Sequence, residues 1–545
     1  MNAQFNMTDY EKTYAEFSWD APERFNFARD VVDKWATQDP QQLALFWVDD
    51  NGHEEKRTYA DISQVSSKLG NVLTNLGVKR GDVVILMLGR ELAWWEICTA
   101  CLRLGAILSP GTTQMTSKDI AYRINRAEAT CFITTETHAA KLEAVLDECP
   151  TLKARLIIGS EREGWTNYEA AVAVASADFM TADTRSDENA ICYFTSGTTG
   201  YPKMTLHTHV SYPLGHVTTG AYWLDQRPGE LHWNISDTGW AKAAWSSYFG
   251  PWNCGSTVFV HHTAGFDAGK TLALLQKYPI TTLCGPPTVY RMLVLQDLSQ
   301  YSFPQLRHCI GAGEPLNPEV IETWYEATGK VIRDGYGQTE TVILCGNFPS
   351  MEPRYGSMGK PAPGIDLKVI DDDGNIVPPG QEGDIAVRVQ PERPLGLFKE
   401  YWKDPDMTAA TIRDPWYITG DRAYVDEDGY FWFVGRADDV ILSAGYRIGP
   451  FEVESALLEH PAVAESAVVA SPDGIRGAVV KAFVVLAPGY EGSQTLIEAL
   501  QNHVKTVTAP YKYPRKVEFI DQLPKTISGK IRRIELRERE WTANK

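Results

Sequence analysis

The chain has 545 residues, 43% hydrophobic and 22% charged, which exceeds one ordinary core and describes a folded, soluble protein of two or more domains. A formal charge of −18 argues against nucleic-acid binding, and no stretch approaches the ~18 uninterrupted apolar residues of a membrane span. The opening segment MNAQFNMTDYEKTYAEF lacks the basic and apolar parts of a signal peptide, so the expectation is a cytoplasmic protein without integral membrane association.

From about residue 80 to 335 short β-prone runs alternate with helical ones. In order they are DVVILML, ELAWWEICTACLRLG, ARLIIG, AICYF, STVFVHH, GKTLALLQKY, LRHCIG and NPEVIETWYEATG. This alternation implies an α/β architecture with mostly parallel strands. Cys98 and Cys101 form a C-x-x-C, but their apolar surroundings fit a buried helix better than a redox pair. Nine cysteines, none in the last 200 residues, do not suggest a disulfide framework and point to a reducing compartment. His207 with His209, and His261 with His262, lack the further partners of a zinc site. In the last helix of the series Asn317 is expected to cap, Pro318 to take the first position and Gly329 to end it. Beyond residue 350, glycine and proline turns between short strands suggest a small β subdomain. A separate αβ pattern follows GRADDVILSAGYRIGP, which places a domain boundary near Asp438: residues 1–436 form the large N-terminal domain and 437–545 a smaller C-terminal α+β domain.

The stretch TSGTTGYPK, Thr195 to Lys203, hangs from the end of the β-prone run AICYF. Gly197 and Gly200 let the backbone turn closely around a ligand, and the hydroxyls of Thr195, Ser196, Thr198 and Thr199 can donate to anionic oxygens, with Lys203 adding charge. The spacing is not that of a P-loop, because Tyr201 and Pro202 precede the lysine and Met204 follows it. Taken alone, the stretch reads equally well as a solvated turn.

Five segments in order, TSGTTGYPK, DGYGQTE (334–340), YITGD (417–421), GRADDVILSAGYRIGPFEVE (435–454) and PKTISGKIRR (524–533), resemble the adenylate-forming family of acyl-CoA synthetases, firefly luciferases and nonribosomal adenylation domains. The likeness runs from about residue 25 to the end. It implies a large domain of α/β subdomains plus a small β subdomain, and a mobile C-terminal domain. It also implies that TSGTTGYPK grips the phosphates of ATP. The reaction makes chemical sense: a carboxylate has no good leaving group until AMP is placed on it. The acid is its own nucleophile, so catalysis reduces to positioning and charge neutralisation.

By this resemblance Glu340 is the Mg²⁺ ligand, a hard oxygen donor beside the phosphates. Tyr336 stacks on adenine, Gly313, Glu314 and Pro315 line the base, and Asp334, Gly335, Gly337 and Gln338 complete the nucleotide motif. Thr339 lies near the α-phosphate, Asp421 accepts from the ribose hydroxyls, and Arg436 is a further nucleotide contact. Lys530 bridges the acid carboxylate and the α-phosphate during adenylation. The C-terminal domain then swings about Asp438, so that Ala444, Gly445, Tyr446 and Arg447 replace Lys530, with Gly445 kept small beside pantetheine. Arg447, Arg476 and Arg515 are expected to contact the phosphates of CoA, in a locally basic tail.

Further stretches look most like medium-chain acyl-CoA synthetases, which take medium-chain, branched or aromatic acids. Trp240, Trp245, Leu344 and Cys345 are then candidates for the acyl pocket, with ordinary core packing the alternative for Trp240. The implied partners are a small carboxylic acid, ATP with Mg²⁺, and CoA; a monomer and a homodimer are both compatible. Delivery to a carrier protein and a non-catalytic nucleotide-binding regulator are the competing readings.

Overall fold

A computed structural model describes residues 5–195, 202–443, 446–473, 476–525 and 531–543. Two large sheets form the bulk of the molecule. The first has eight strands, and its inner ones, Val83–Met87, Ile107–Pro110, Cys131–Thr135, Ala154–Ile158 and Asn189–Thr195, run parallel. Every residue of Val83–Met87 is buried, as expected of a β-branched run covered by helices on both faces. The second sheet has nine strands, with a parallel centre built from Leu43–Asp49, Thr257–His262, Leu231–Asn234, Thr282–Gly285, His308–Ala312 and Ile332–Tyr336. Antiparallel strands occur only toward the edges of both sheets. The expected α/β alternation therefore holds.

The helix Ala93–Leu104 carries Cys98 and Cys101, both fully buried, and it ends on Gly105 in the left-handed region at φ 76°. Burial pushes the Cys101 thiol up to about 12, so this C-x-x-C is core. All nine cysteines are free.

The helix Pro318–Thr328 corrects one expectation. Pro318 opens it and Gly329 closes it at φ 68°, but Asn317 makes no side-chain capping bond. The Asn317 amide instead donates to Ser455 Oγ at 2.9 Å, and its carbonyl oxygen accepts from Arg291 Nε at 3.3 Å. A tertiary partner outcompetes the local cap.

Strands Leu367–Ile370, Gly383–Arg388, Trp416–Val425, Ile412–Arg413 and Phe431–Arg436 form the small antiparallel β subdomain. From residue 441 onward the chain packs a core of its own, including Ile441, Val453, Leu457, Val480, Leu500 and Val504. Strands Val463–Asp473 and Gly477–Leu486 pair antiparallel there, Lys516–Phe519 joins in parallel, and helices Pro450–Leu458, Gln494–Val507 and Arg533–Ala543 surround them. A large N-terminal and a smaller C-terminal α+β domain result. No helix among the described residues is long and apolar enough to cross a membrane.

Candidate active site

Thr195 lies opposite Lys203 in the antiparallel pair Asn189–Thr195 and Lys203–Thr208, so the two stems of the TSGTTGYPK stretch stand side by side. Ser196, Gly197, Thr198, Thr199 and Gly200 lie outside the described residues. Lys203 Nζ sits 4.7 Å from the centre of the Tyr401 ring. The Tyr401 hydroxyl in turn donates to Glu340 Oε1 at 2.8 Å. Burial and the Glu340 charge both raise the Tyr401 phenol, so it stays a donor. Tyr401 reaches this position because the edge strand Glu400–Tyr401 pairs with Lys203–Thr208, setting Tyr401 against Thr205. The stretch and the carboxylate expected to hold metal are thus joined through one tyrosine.

DGYGQTE leaves the carboxyl end of the parallel strand Ile332–Tyr336, the place where open α/β sheets present ligand sites. The Tyr336 hydroxyl donates to Asp421 Oδ2 at 2.6 Å and Gln338 Nε2 donates to the same oxygen at 2.7 Å. Gln338 Nε2 also donates to Thr419 O at 2.9 Å. Arg436 Nε stands 3.6 Å from Asp421 Oδ1, a consequence of register, since the two residues face each other across strands Trp416–Val425 and Phe431–Arg436. Burial and Asp421 keep Tyr336 protonated. Two segments eighty residues apart in sequence are therefore fused into one polar surface.

The layer beneath explains the glycines. A Cβ at Gly335 would stand 2.6 Å from Trp223, and one at Gly337 would stand 2.3 Å from Trp245 and 2.5 Å from Val342 O. Trp245 begins a π-helical segment, Trp245–Phe249, between the short helices Ala241–Ala244 and Gly250–Asn253. Such bulges re-aim side chains, and here the indole lies under the motif. Leu344 and Cys345 are buried in the same cluster, while Trp240 is partly exposed at the start of Ala241–Ala244.

Asp334 is buried, and burial pushes its carboxyl up to about 7. It accepts from its neighbour Gly335 N at 2.9 Å and from Leu316 N at 3.3 Å, thereby joining DGYG to the segment Gly313, Glu314 and Pro315. Gly313 has φ 114°, and Glu314 lies 3.6 Å from Arg291. His207, for which the sequence suggested no role, holds the other end of the motif: its Nε2 lies 2.8 Å from Thr339 O. Burial lowers His207 to about 3, so the ring is neutral, and Nε2–H donates to that carbonyl. His207, Tyr401, Trp223 and Tyr212, which receives the Trp245 indole N–H, are site-forming residues that no local motif announces.

On the C-terminal domain Tyr446 is 52% exposed and stacks on Tyr511 at 4.3 Å. The Arg476 side chain is exposed and Arg515 Nη1 donates to Tyr513 OH at 2.7 Å. Ala444, Gly445 and Lys530 lie outside the described residues, as does the side chain of Arg447. Asp438 is exposed just after the strand Phe431–Arg436. Among the described residues no group of three or more His, Cys, Asp or Glu could hold a metal ion.

This α/β platform, with its polar surface at the strand ends and a second domain beside it, is that of an AMP-binding enzyme, and the chain belongs to that family. It matches the AMP-binding enzyme family over residues 32–402 and the AMP-binding enzyme C-terminal domain over 452–530. It is 53% identical to human acyl-coenzyme A synthetase ACSM3, mitochondrial, over 98% of this chain and 93% of that protein. It is 51% identical to human acyl-coenzyme A synthetase ACSM4, mitochondrial, over 95% and 91% respectively. Among solved structures, the anthranilate CoA ligase AuaEII in complex with anthranoyl-AMP superposes with a TM-score of 0.89 at 30% identity, covering 96% of this chain and 99% of that one. The relatives' mitochondrial names overturn the cytoplasmic expectation. Composition and cysteine spacing do not single out one compartment.

Proposed function

We infer that this protein is an acid–CoA ligase of the AMP-forming acyl-CoA synthetase type. Acid and ATP give an acyl-adenylate and pyrophosphate; CoA then displaces AMP to give the thioester. The observation that best supports the site is the convergence of Lys203, Tyr401 and Glu340 with Tyr336, Asp421 and Arg436.

In adenylation the acid's carboxylate oxygen attacks the α-phosphorus and pyrophosphate departs. Tyr336 offers its ring to adenine, while Asp421 turns its acceptor oxygens to the ribose. Thr339, its carbonyl fixed by His207, stands where the α-phosphate is expected. Glu340 fits a Mg²⁺ role: it is a hard carboxylate, one oxygen of which is oriented by Tyr401. With no multi-residue cage among the described residues, phosphate oxygens and water would supply most ligands, and the ion would neutralise phosphate charge. Lys530 supplies the positive charge between carboxylate and α-phosphate. Opposite charges ~4 Å apart gain about 4 kcal/mol at an effective dielectric of 20, roughly a thousandfold in rate if confined to the transition state.

We place the division between domains at residues 436 and 437, with the hinge near Asp438. Rotation there brings Ala444 to Arg447 to the site for the thiol's attack on the acyl carbonyl, while Arg447, Arg476 and Arg515 meet CoA phosphates. Trp240, Trp245, Leu344 and Cys345 form the acyl wall, and the substrates are medium-chain, branched or aromatic acids that feed acyl-CoA lipid metabolism. An apolar wall resolves one methylene by only ~1–3 kcal/mol, so several acids are accepted.

The test is a panel of C2 to C12, branched and aromatic acids with ATP, Mg²⁺ and CoA, measuring AMP and thioester together. Equal AMP and thioester from at least one group of acids is expected. AMP release from none of them contradicts the assignment.

A further inference from the structure

Two hydrogen bonds bracket the expected pivot. On the large-domain side, Ala437 N donates to Gly420 O at 3.0 Å, extending the ladder that pairs Arg436 with Asp421. On the other side, Arg537 Nη1 donates to Asp438 O at 2.6 Å and to Asp439 Oδ1 at 3.0 Å. Arg537 belongs to the helix Arg533–Ala543, which is anchored in the C-terminal domain through Arg533 on buried Glu454 and Glu540 on Ser471. Because each residue has only two soft torsions, the backbone between these fixed points can turn only at Ala437 and Asp438.

We propose that Arg537 is a positioning residue: by tying the peptide after Asp438 to the last helix, it makes linker and C-terminal domain one rigid body and confines the rotation to that two-residue pivot. The proposal rests on the two-orientation reading above. The Asp438 carbonyl lies beyond both torsions of Asp438, so the Arg537 bond travels with the domain and survives rotation. Among the described residues, bonds that cross the pivot and that a rotation breaks include Asp439 N and Val440 N to Arg436 O at 2.9 and 3.2 Å, and Asn317 to Ser455.

The lever arm makes this contact matter. A domain of ~100 residues has a radius of gyration of about 13 Å, so an angular slack of about 10° at the pivot moves its working face by about 2–3 Å. Misplacement of about 1 Å already costs on the order of a hundredfold in rate. Slack in the linker therefore penalises both half-reactions, unlike loss of a group that serves one of them.

The experiment compares Arg537→Ala, Arg537→Lys and Arg539→Ala with wild type. Arg539 sits on the same helix but bonds Glu518, away from the linker. Rate constants are measured separately for adenylate formation and for thioester formation from preformed adenylate, together with inter-domain distances by pulsed EPR. The spin labels go on cysteines introduced at exposed Val174 and Tyr490. Expected for Arg537→Ala are a fall of about a hundredfold in both rate constants, KM for ATP within about twofold, and a broadened distance distribution. Arg537→Lys, able to reach the carbonyl with one donor, recovers part of both; Arg539→Ala matches wild type. If Arg537→Ala does not fold, Asp439→Ala removes the carboxylate that helps hold Arg537 on the Asp438 carbonyl and is expected to broaden the distances to a smaller extent. Rates and widths equal to those of Arg539→Ala overturn the proposal. A wild type without either half-reaction would instead remove the functional reading, while the distance widths would still decide the role of Arg537.

Discussion

The two halves of the candidate site are built on different principles. On the large domain, the residues of DGYGQTE and YITGD are bonded to one another and underpinned by Trp223, Trp245, Asp334 and His207, so their geometry is set before any ligand arrives. The C-terminal domain offers Leu442, Tyr446 and Tyr511 at 62, 52 and 41% exposure, with the two tyrosine rings stacked on each other. A preorganised surface suits charge neutralisation in adenylation, where donors must not reorganise. An open face suits a group that must leave one position and engage in another.

The contrast can be broken first at Glu340. Glu340→Gln keeps an acceptor for Tyr401 but removes the charge, and it is expected to slow acid-dependent exchange of pyrophosphate into ATP by about a hundredfold. Thioester formation from preformed adenylate should change far less. An equal loss in both steps would assign Glu340 to general structure.

The rigid half should also unfold in acid. His207, His232 and His308 are pushed down to about 3 and His209 to about 4, all by burial, so the unfolded chain binds more protons than the folded one below pH ~6.5. Stability is then lost as pH falls through that window, by up to about 1.4 kcal/mol per pH unit for each histidine. Asp334 runs the other way: with its carboxyl raised by burial to about 7, the folded state holds a proton the unfolded chain has released, and that contribution is lost as pH rises from about 4 to about 7. Urea unfolding from pH 5 to 8 should show stability rising with pH up to about 6.5 as the histidine effect outweighs that of Asp334, and Asp334→Asn should steepen the rise.

Smaller effects sharpen the same point. Gly337→Ala forces a Cβ against Trp245 and the Val342 carbonyl and should cost about 1–3 kcal/mol of stability, seen in the thermal midpoint, together with activity. His207→Leu leaves the Thr339 carbonyl unpaired; a loss of about 1–2 kcal/mol, roughly tenfold in adenylation rate with little change in KM for CoA, is expected from half-reaction kinetics.

Much of this architecture was legible in the chain. The runs DVVILML, AICYF and LRHCIG are dominated by apolar residues because helices cover both sheet faces, and they became inner strands. The Asn317 cap was misread because a serine more than a hundred residues away competes for the same amide. The π-helical segment at Trp245 follows from packing under Gly337, which no helical period encodes. Within the site, motif residues were legible as contiguous strings. Tyr401 and His207 were not, since their partners Glu340 and Thr339 are 61 and 132 residues distant, and only the sheet edge and the buried strand bring them together. The sole local hint was an aromatic residue among charges in LFKEYWKD.

The most direct test of a fixed adenylating surface served by an exchangeable second face is Lys530→Ala, assayed one half-reaction at a time. Pyrophosphate exchange is expected to fall about a thousandfold while preformed acyl-adenylate still reacts with CoA at close to the wild-type rate. Parallel loss of both activities would mean that one face serves both steps, and would contradict the account.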